Sequence, residues 1–170
     1  MEQTFESLTS LPKIERYRLF LNDYRTLIDG ETDRIALLAN TAAALHDAFG
    51  FFWVGFYWVK DEQWLSLGPF QGPVACTRIK RGRGVCGTAW AEERTIVVPD
   101  VNLFPGHIAC SSLTRSEIVV PIVISTFEAP RVAGVLDIDS TNLHAFDDDD
   151  RRGLEAVVNV LANALQESIN

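Results

Sequence analysis

The run FFWVGFYWVK at residues 51–60 decides the fold. It is aromatic and β-branched almost throughout, which suits a packed, pleated strand. Alternation puts Trp53 and Tyr57 on one face and Phe56 and Trp58 on the other. Working outward, DEQ at residues 61–63 is a polar turn, and residues 63–67 read as the returning strand of a hairpin. Residues 74–80 give a third strand, GRG at residues 82–84 a tight turn, and residues 85–92 a short helix. Residues 95–98 make another strand, and residues 117–124 with 131–139 make a second hairpin. Between these lies a long loop at residues 100–112, of the kind that carries function in compact domains. Two amphipathic helices precede the strands, over residues 14–28 and 32–49, stopping at Gly30 and Gly50. A closing helix over residues 147–167 starts with four acids at its positive end. Hairpins imply a mostly antiparallel sheet, and the helices at both ends of the chain must cover it. The expected fold class is α+β, a central sheet with helices on both faces.

A chain of 170 residues with 47% hydrophobic content holds one domain with a proper core. The expected organisation is a single domain over residues 1–170, with residues 1–30 as a helical segment packed on it. No run reaches the apolar length of a membrane span. The N-terminal MEQTFESLTSLPKIERYRLF carries acids early and does not read as a signal peptide. The expected compartment is the cytoplasm, where thiols stay reduced. A net charge of −8 argues against nucleic acid and anionic membranes as partners.

Several groups could carry chemistry. Cys76, Cys86 and Cys110 sit in one central stretch, within VACTRIKRGRGVCGTAW and FPGHIACSSLTRSE. Their odd number argues against a closed disulfide framework, and their spacing fits no common metal site. They read either as redox thiols or as small buried hydrophobes. Cys76 is expected in a strand, Cys86 in a first helical turn whose dipole favours a thiolate, and Cys110 in an exposed loop. A charged His107 would favour the Cys110 thiolate; otherwise it is a loop residue bonded to its neighbours. Gly82 to Gly87 spell G-x-G-x-x-G, but the following helix is too short and the strands look hairpin-connected. The simpler reading is a turn that needs positive φ. Asp137 and Asp139 in GVLDIDS lie two apart on a strand and share a face. Glu117, on the neighbouring strand, could join them. Three carboxylates in one pocket would bind an ammonium group, or donate a proton if one stays neutral. Trp53 and Tyr57 could line the same pocket.

Taken together, GFYW, LGPFQGPVACTRI, GRGVCGTAWAE, DVNLFPGHIACSS, SEIVVPIV and GVLDIDS resemble the free methionine-(R)-sulfoxide reductases, which are stand-alone GAF domains. The resemblance covers roughly residues 32–165. It implies a GAF-like fold and a cytoplasmic enzyme without cofactor or metal. The implied reaction reduces free methionine-(R)-sulfoxide, with Cys110 as nucleophile, Cys76 as the main resolving thiol and Cys86 as a substitute or relay. It further implies that Glu117, Asp137 and Asp139 contact the polar end of the substrate, and that Trp53 and Tyr57 wall its methyl group. A thioredoxin-like reductant and a homodimer are the implied partners. STFEAPR at residues 125–131 makes the second hairpin longer than the family pattern. The rival reading is a GAF module that binds a small molecule without catalysis.

Overall fold

The computed structural model describes residues 10–126 and 129–167. Residues 1–9 of the expected N-terminal segment and 127–128 of the longer hairpin lie outside the described residues. Helix α1 (Lys13–Ile28) follows Pro12 and buries Tyr17, Phe20, Tyr24 and Ile28 along one stripe. Helix α2 (Arg34–Phe49) is capped at both ends. The Asp33 side chain accepts the Ala36 N–H at 2.8 Å, and left-handed Gly50 donates its N–H to the His46 carbonyl at 2.8 Å.

Six strands follow: β1 (Trp53–Val59), β2 (Trp64–Gln71), β3 (Arg78–Lys80), β4 (Ile96–Val98), β5 (Ser116–Ile124) and β6 (Arg131–Ser140). They form one sheet in the order β3-β2-β1-β6-β5-β4, with every neighbouring pair antiparallel. Helix α3 (Gly84–Glu92) lies between β3 and β4 in sequence, and α4 (Asp148–Glu167) closes the chain. Among the described residues, no helix is long and apolar enough to cross a membrane.

The two faces differ. Helices α1, α2 and α4 share one face, where their apolar stripes meet Val54, Phe56, Ile118, Val120, Ile122, Leu136 and Ile138. The other face carries Trp53, Tyr57, Val119 and Val135, covered by Val85, Cys86, Ala89 and Trp90 of α3 and by loops. Helices from opposite ends of the chain therefore stack side by side on one face, and one short helix serves the other. Because both faces are covered, β5 and β6 are buried almost end to end.

Some boundaries differ from the sequence reading. β2 runs on to Gln71, and β3 is only three residues long. Residues 72–77 form a loop, so Cys76 sits outside any strand. The strand-like composition there is overridden by side chains that grip the loop's carbonyls, described below. The long loop at residues 100–112 contains a single 3-10 turn (Val101–Leu103). The G-x-G-x-x-G stretch is a turn with Gly82 and Gly84 at φ +73 and +60, and the flanking strands each pair antiparallel with others. No parallel βαβ unit surrounds it, so the dinucleotide reading has no frame.

Helix α1 is held to α4 by polar and apolar contacts at one spot. Tyr17 stacks on Phe49 at 4.6 Å, and its hydroxyl donates to buried Asp150 at 3.0 Å. Lys13 bridges Asp147 and Asp150. Asp147 in turn accepts the Asp149 N–H at 2.9 Å, capping α4. Gly153 lets this packing close, since a Cβ there would stand 2.2 Å from Tyr17 Cγ. Alanine normally favours a helix over glycine by about 1 kcal/mol. Here the ring is pinned at both ends, so overpacking wins. Gly153→Ala should lose about 1–3 kcal/mol in urea unfolding; equal or greater stability would show that α1 can yield.

Candidate functional site

Register builds the site. Glu117 pairs with Asp139, and Asp139 with Trp53, so these three form one row across β5, β6 and β1. The next row is Val119, Asp137 and Gly55. The period of two aims all their side chains at the α3 face. Gly55 leaves this row open, and the Trp53 ring tips over the gap. A Cβ on Gly55 would meet Trp53 Cη2 at 2.6 Å and Phe70 Cβ at 2.3 Å.

Two loops close the pocket. Trp53 Nε1 donates to the Pro73 carbonyl at 3.0 Å, and the Tyr57 hydroxyl donates to the Cys76 carbonyl at 3.0 Å. The aromatic wall thus holds the loop that carries Cys76. From the other side comes the loop after β4, bearing His107, Ile108 and Cys110. Cys76 and Cys110 are joined as a disulfide, with Cα atoms 5.5 Å apart. The pocket beneath spans about 490 Å³ with its open mouth included. Trp53, Tyr57, Cys86, Cys110, Glu117, Asp137 and Asp139 all line it, so the eight residues singled out from sequence converge there, Cys76 through its bond to Cys110.

Cys86 behaves differently from the sequence expectation. It lies in the first turn of α3, yet it is buried and its thiol is pushed well above the usual range. Burial is the main cause, and the charges of Asp137 and Glu117 add to it. These terms outweigh the helix dipole, so Cys86 is a neutral thiol that hydrogen-bonds Asp137.

The acids are shifted the same way. Burial raises Glu117 well above the carboxylate range, and the charge of Asp139 raises it further. Burial, then Glu117, raises Asp137. Burial, then Asp137, pushes Asp139 up to about 8. Among the described residues, no lysine or arginine lines the pocket to offset them. Asp137 Oδ1 and Thr114 Oγ1 are buried without a hydrogen-bond partner among the described residues. Thr114 faces Asp139 and favours its anion without a well-formed bond. Such a pocket suits a small ligand that brings its own cation and acceptor oxygen. Donor atoms of Cys86, Glu117 and Asp137 lie within 4.8 Å of one another, a reach that could hold a divalent ion. The raised pKa values oppose this, because a metal needs thiolate and carboxylates.

His107 has a larger place here than a loop residue. Its Nε2 lies 3.4 Å from Glu117 Oε2, and burial lowers its pKa, so it is neutral at pH 7 and supplies no cation to Cys110. Its position three residues before Cys110 was the one available sequence signal. Thr114 and Ile108 also line the pocket, and nothing in the sequence marked them.

The shift of Asp139 has a stability consequence. Its folded pKa of about 8 lies above the ordinary value of 3.8. The folded state therefore holds an extra proton between those limits, and stability falls as pH rises through that window. Asp139→Asn removes the penalty. Its melting temperature should exceed that of the parent by a few degrees at pH 8.5 and by much less at pH 5.5. A gain independent of pH would contradict the raised pKa.

The chain matches known proteins over most of its length. Residues 33–165 match the GAF domain family. GAF domain-containing protein A of Dictyostelium discoideum is 53% identical over 151 residues, covering 89% of this chain and 93% of that protein. The free methionine-R-sulfoxide reductase of Escherichia coli (strain K12) is 46% identical over 154 residues, covering 90% of each. The solved structure of the free methionine-R-sulfoxide reductase from Neisseria meningitidis in complex with its substrate superposes with a TM-score of 0.90. Identity there is 48%, over 99% of this chain and 98% of that one. A three-acid pocket roofed by a disulfide, on a sheet shared with these proteins over nearly its whole extent, places the chain in the GAF family and, within it, among the free methionine-R-sulfoxide reductases.

Proposed function

We propose that the protein reduces free L-methionine-(R)-sulfoxide to L-methionine by thiol chemistry. The observation that carries this is the Cys76–Cys110 bond lying over a pocket of buried, cation-free carboxylates. A sulfoxide sulfur becomes electrophilic when its oxygen is protonated or strongly hydrogen-bonded. Glu117 and Asp139, kept neutral by burial and by the neighbouring acids, are suited to hold that oxygen. Asp137, with an unpartnered oxygen, is suited to the substrate ammonium. The slot beside Trp53 and Tyr57 would take the methyl group and so read the handedness at sulfur. A peptide bond in place of the ammonium would leave Asp137 unsatisfied, which argues for the free amino acid as substrate.

The steps balance as follows. The Cys110 thiolate attacks sulfur, one proton passes from the acids to the oxygen, methionine leaves, and Cys110 becomes a sulfenic acid. The Cys76 thiol condenses with it, giving water and the disulfide. A dithiol then exchanges with that bond and returns both thiols. Thioredoxin is the reductant we assign. We assign Cys86, which lines the same pocket as Cys110, a secondary relay role too slow to sustain turnover without Cys76. A turnover that ends in an exchangeable disulfide fits the cytoplasm, where dithiol reductants operate. We assign a homodimer from the family likeness, testable by sedimentation. A GAF module that only binds ligand has no use for a disulfide joining the two loops over its pocket.

Turnover of purified protein with free methionine sulfoxide tests this reading, with loss of two thiols per methionine formed. The R epimer should react, and the S epimer and a methionine-sulfoxide peptide should not. Cys110→Ser should release no methionine in a single turnover, whereas Cys76→Ser should release about one per site and then stall. A full first turnover from Cys110→Ser would transfer the nucleophile's role to Cys86.

The acids can be separated by kinetics. Glu117→Gln and Asp139→Asn keep shape but not proton supply, and should each lower kcat by about 10²–10⁴-fold. Asp137→Asn should raise KM more than it lowers kcat, since its contact is to the ground-state ammonium. Parent-like kinetics in all three, with circular dichroism unchanged, would remove the acids from the mechanism.

A further inference from the structure

The sulfoxide step leaves Glu117 without its proton, buried on the sheet, with its side chain only 8% exposed. Reloading it needs a route to solvent. The pocket is lined by acids, a thiol and Tyr57, and among the described residues that line it, His107 is the group able to carry a positive charge. The imidazole is 15% exposed at the side chain and sits on the loop at the pocket mouth, where Pro105, Gly106 and Ala109 face solvent. Its Nε2 approaches Glu117 Oε2 at 3.4 Å. That is long for a hydrogen bond, but catalytic contacts are often loose before substrate arrives.

We propose that His107 is a positioning residue that reloads Glu117 with a proton from solvent after each sulfoxide is reduced. This rests on the reductase reading above. As Cys110 takes the sulfoxide oxygen, Glu117 gives its proton to that oxygen and becomes a carboxylate. The imidazole, protonated from solvent, then donates its Nε2–H to Glu117 Oε2 and returns to neutral. Both partners end uncharged, the state that burial favours for each. The titrating groups that line the pocket with His107 are Glu117 from β5, Asp137 and Asp139 from β6, Cys86 from α3, Tyr57 from β1 and, once reduced, Cys110 from its own loop. Among the described residues, the ion-pair contact of the imidazole is to Glu117.

The test compares the parent, His107→Ala, His107→Gln and Glu117→Gln at saturating dithiol between pH 6 and 9. His107→Gln keeps a hydrogen-bonding side chain but cannot carry a proton, so it covers the case where the alanine variant folds poorly. Both His107 variants should keep the first-turnover burst of methionine, because Glu117 starts protonated. Both should lose about 10-fold or more in steady-state kcat near pH 6, and the gap should narrow towards pH 9, where the parent's imidazole is rarely protonated. Added imidazole should restore His107→Ala in proportion to its concentration. Glu117→Gln should lose burst and steady state alike, with no response to imidazole. An unchanged kcat and pH profile in the His107 variants would overturn the proposal. A lost burst that imidazole cannot restore would also overturn it, leaving His107 as a loop prop. A parent protein inactive on free methionine sulfoxide would instead overturn the reductase reading itself.

Discussion

The structure depends on keeping three carboxylates inside a protein without a built-in cation. Glu117, Asp137 and Asp139 stand on adjacent central strands, on a face that α3 and two loops seal. Charged, they would repel one another in a poorly solvating medium. Neutral, they become donors. The sheet can carry this cost because its opposite face presents a large apolar core packed under three helices. One face supplies the stability, and the other is left free for an arrangement that opposes it.

That division explains much of the remaining detail. Gly55 gives up a side chain so that Trp53 can lie over the pocket. Trp53 and Tyr57 spend their polar atoms on the Pro73 and Cys76 carbonyls, which fixes the Cys76 loop against the sheet. The disulfide then ties that loop to the one bearing His107. The acids, the aromatic wall and the thiols are therefore one mechanical unit. Moving either loop changes the solvent reaching the acids, and hence their proton affinity.

Much of this was legible in the chain. The alternation in GVLDIDS put both aspartates on one face, and the hairpin spacing brought Glu117 beside them. The same period separated Trp53 and Tyr57 from Phe56 and Trp58. Cys76 was misplaced because VACTRI has strand composition, while its backbone is held by side chains from another strand. Cys86 was misjudged because the helix dipole is a local property and desolvation is not. His107 passed as an ordinary loop residue because its partner lies ten positions along the chain, on β5.

The sequence by itself determined the elements, their inward faces and the residues that carry chemistry. These follow from periodicity and residue type, which act over a few neighbours. Only the tertiary structure decided that β1 pairs with β6 at the centre and that α1, α2 and α4 share one face, whereas the bond between Cys76 and Cys110 agrees with what the family resemblance implied. The tertiary structure alone decided how far burial raises the proton affinity of the acids and that Cys86 is a buried thiol. Strand pairing between distant segments and the exclusion of water are properties of the assembled surroundings, and no local stretch of the chain contains them.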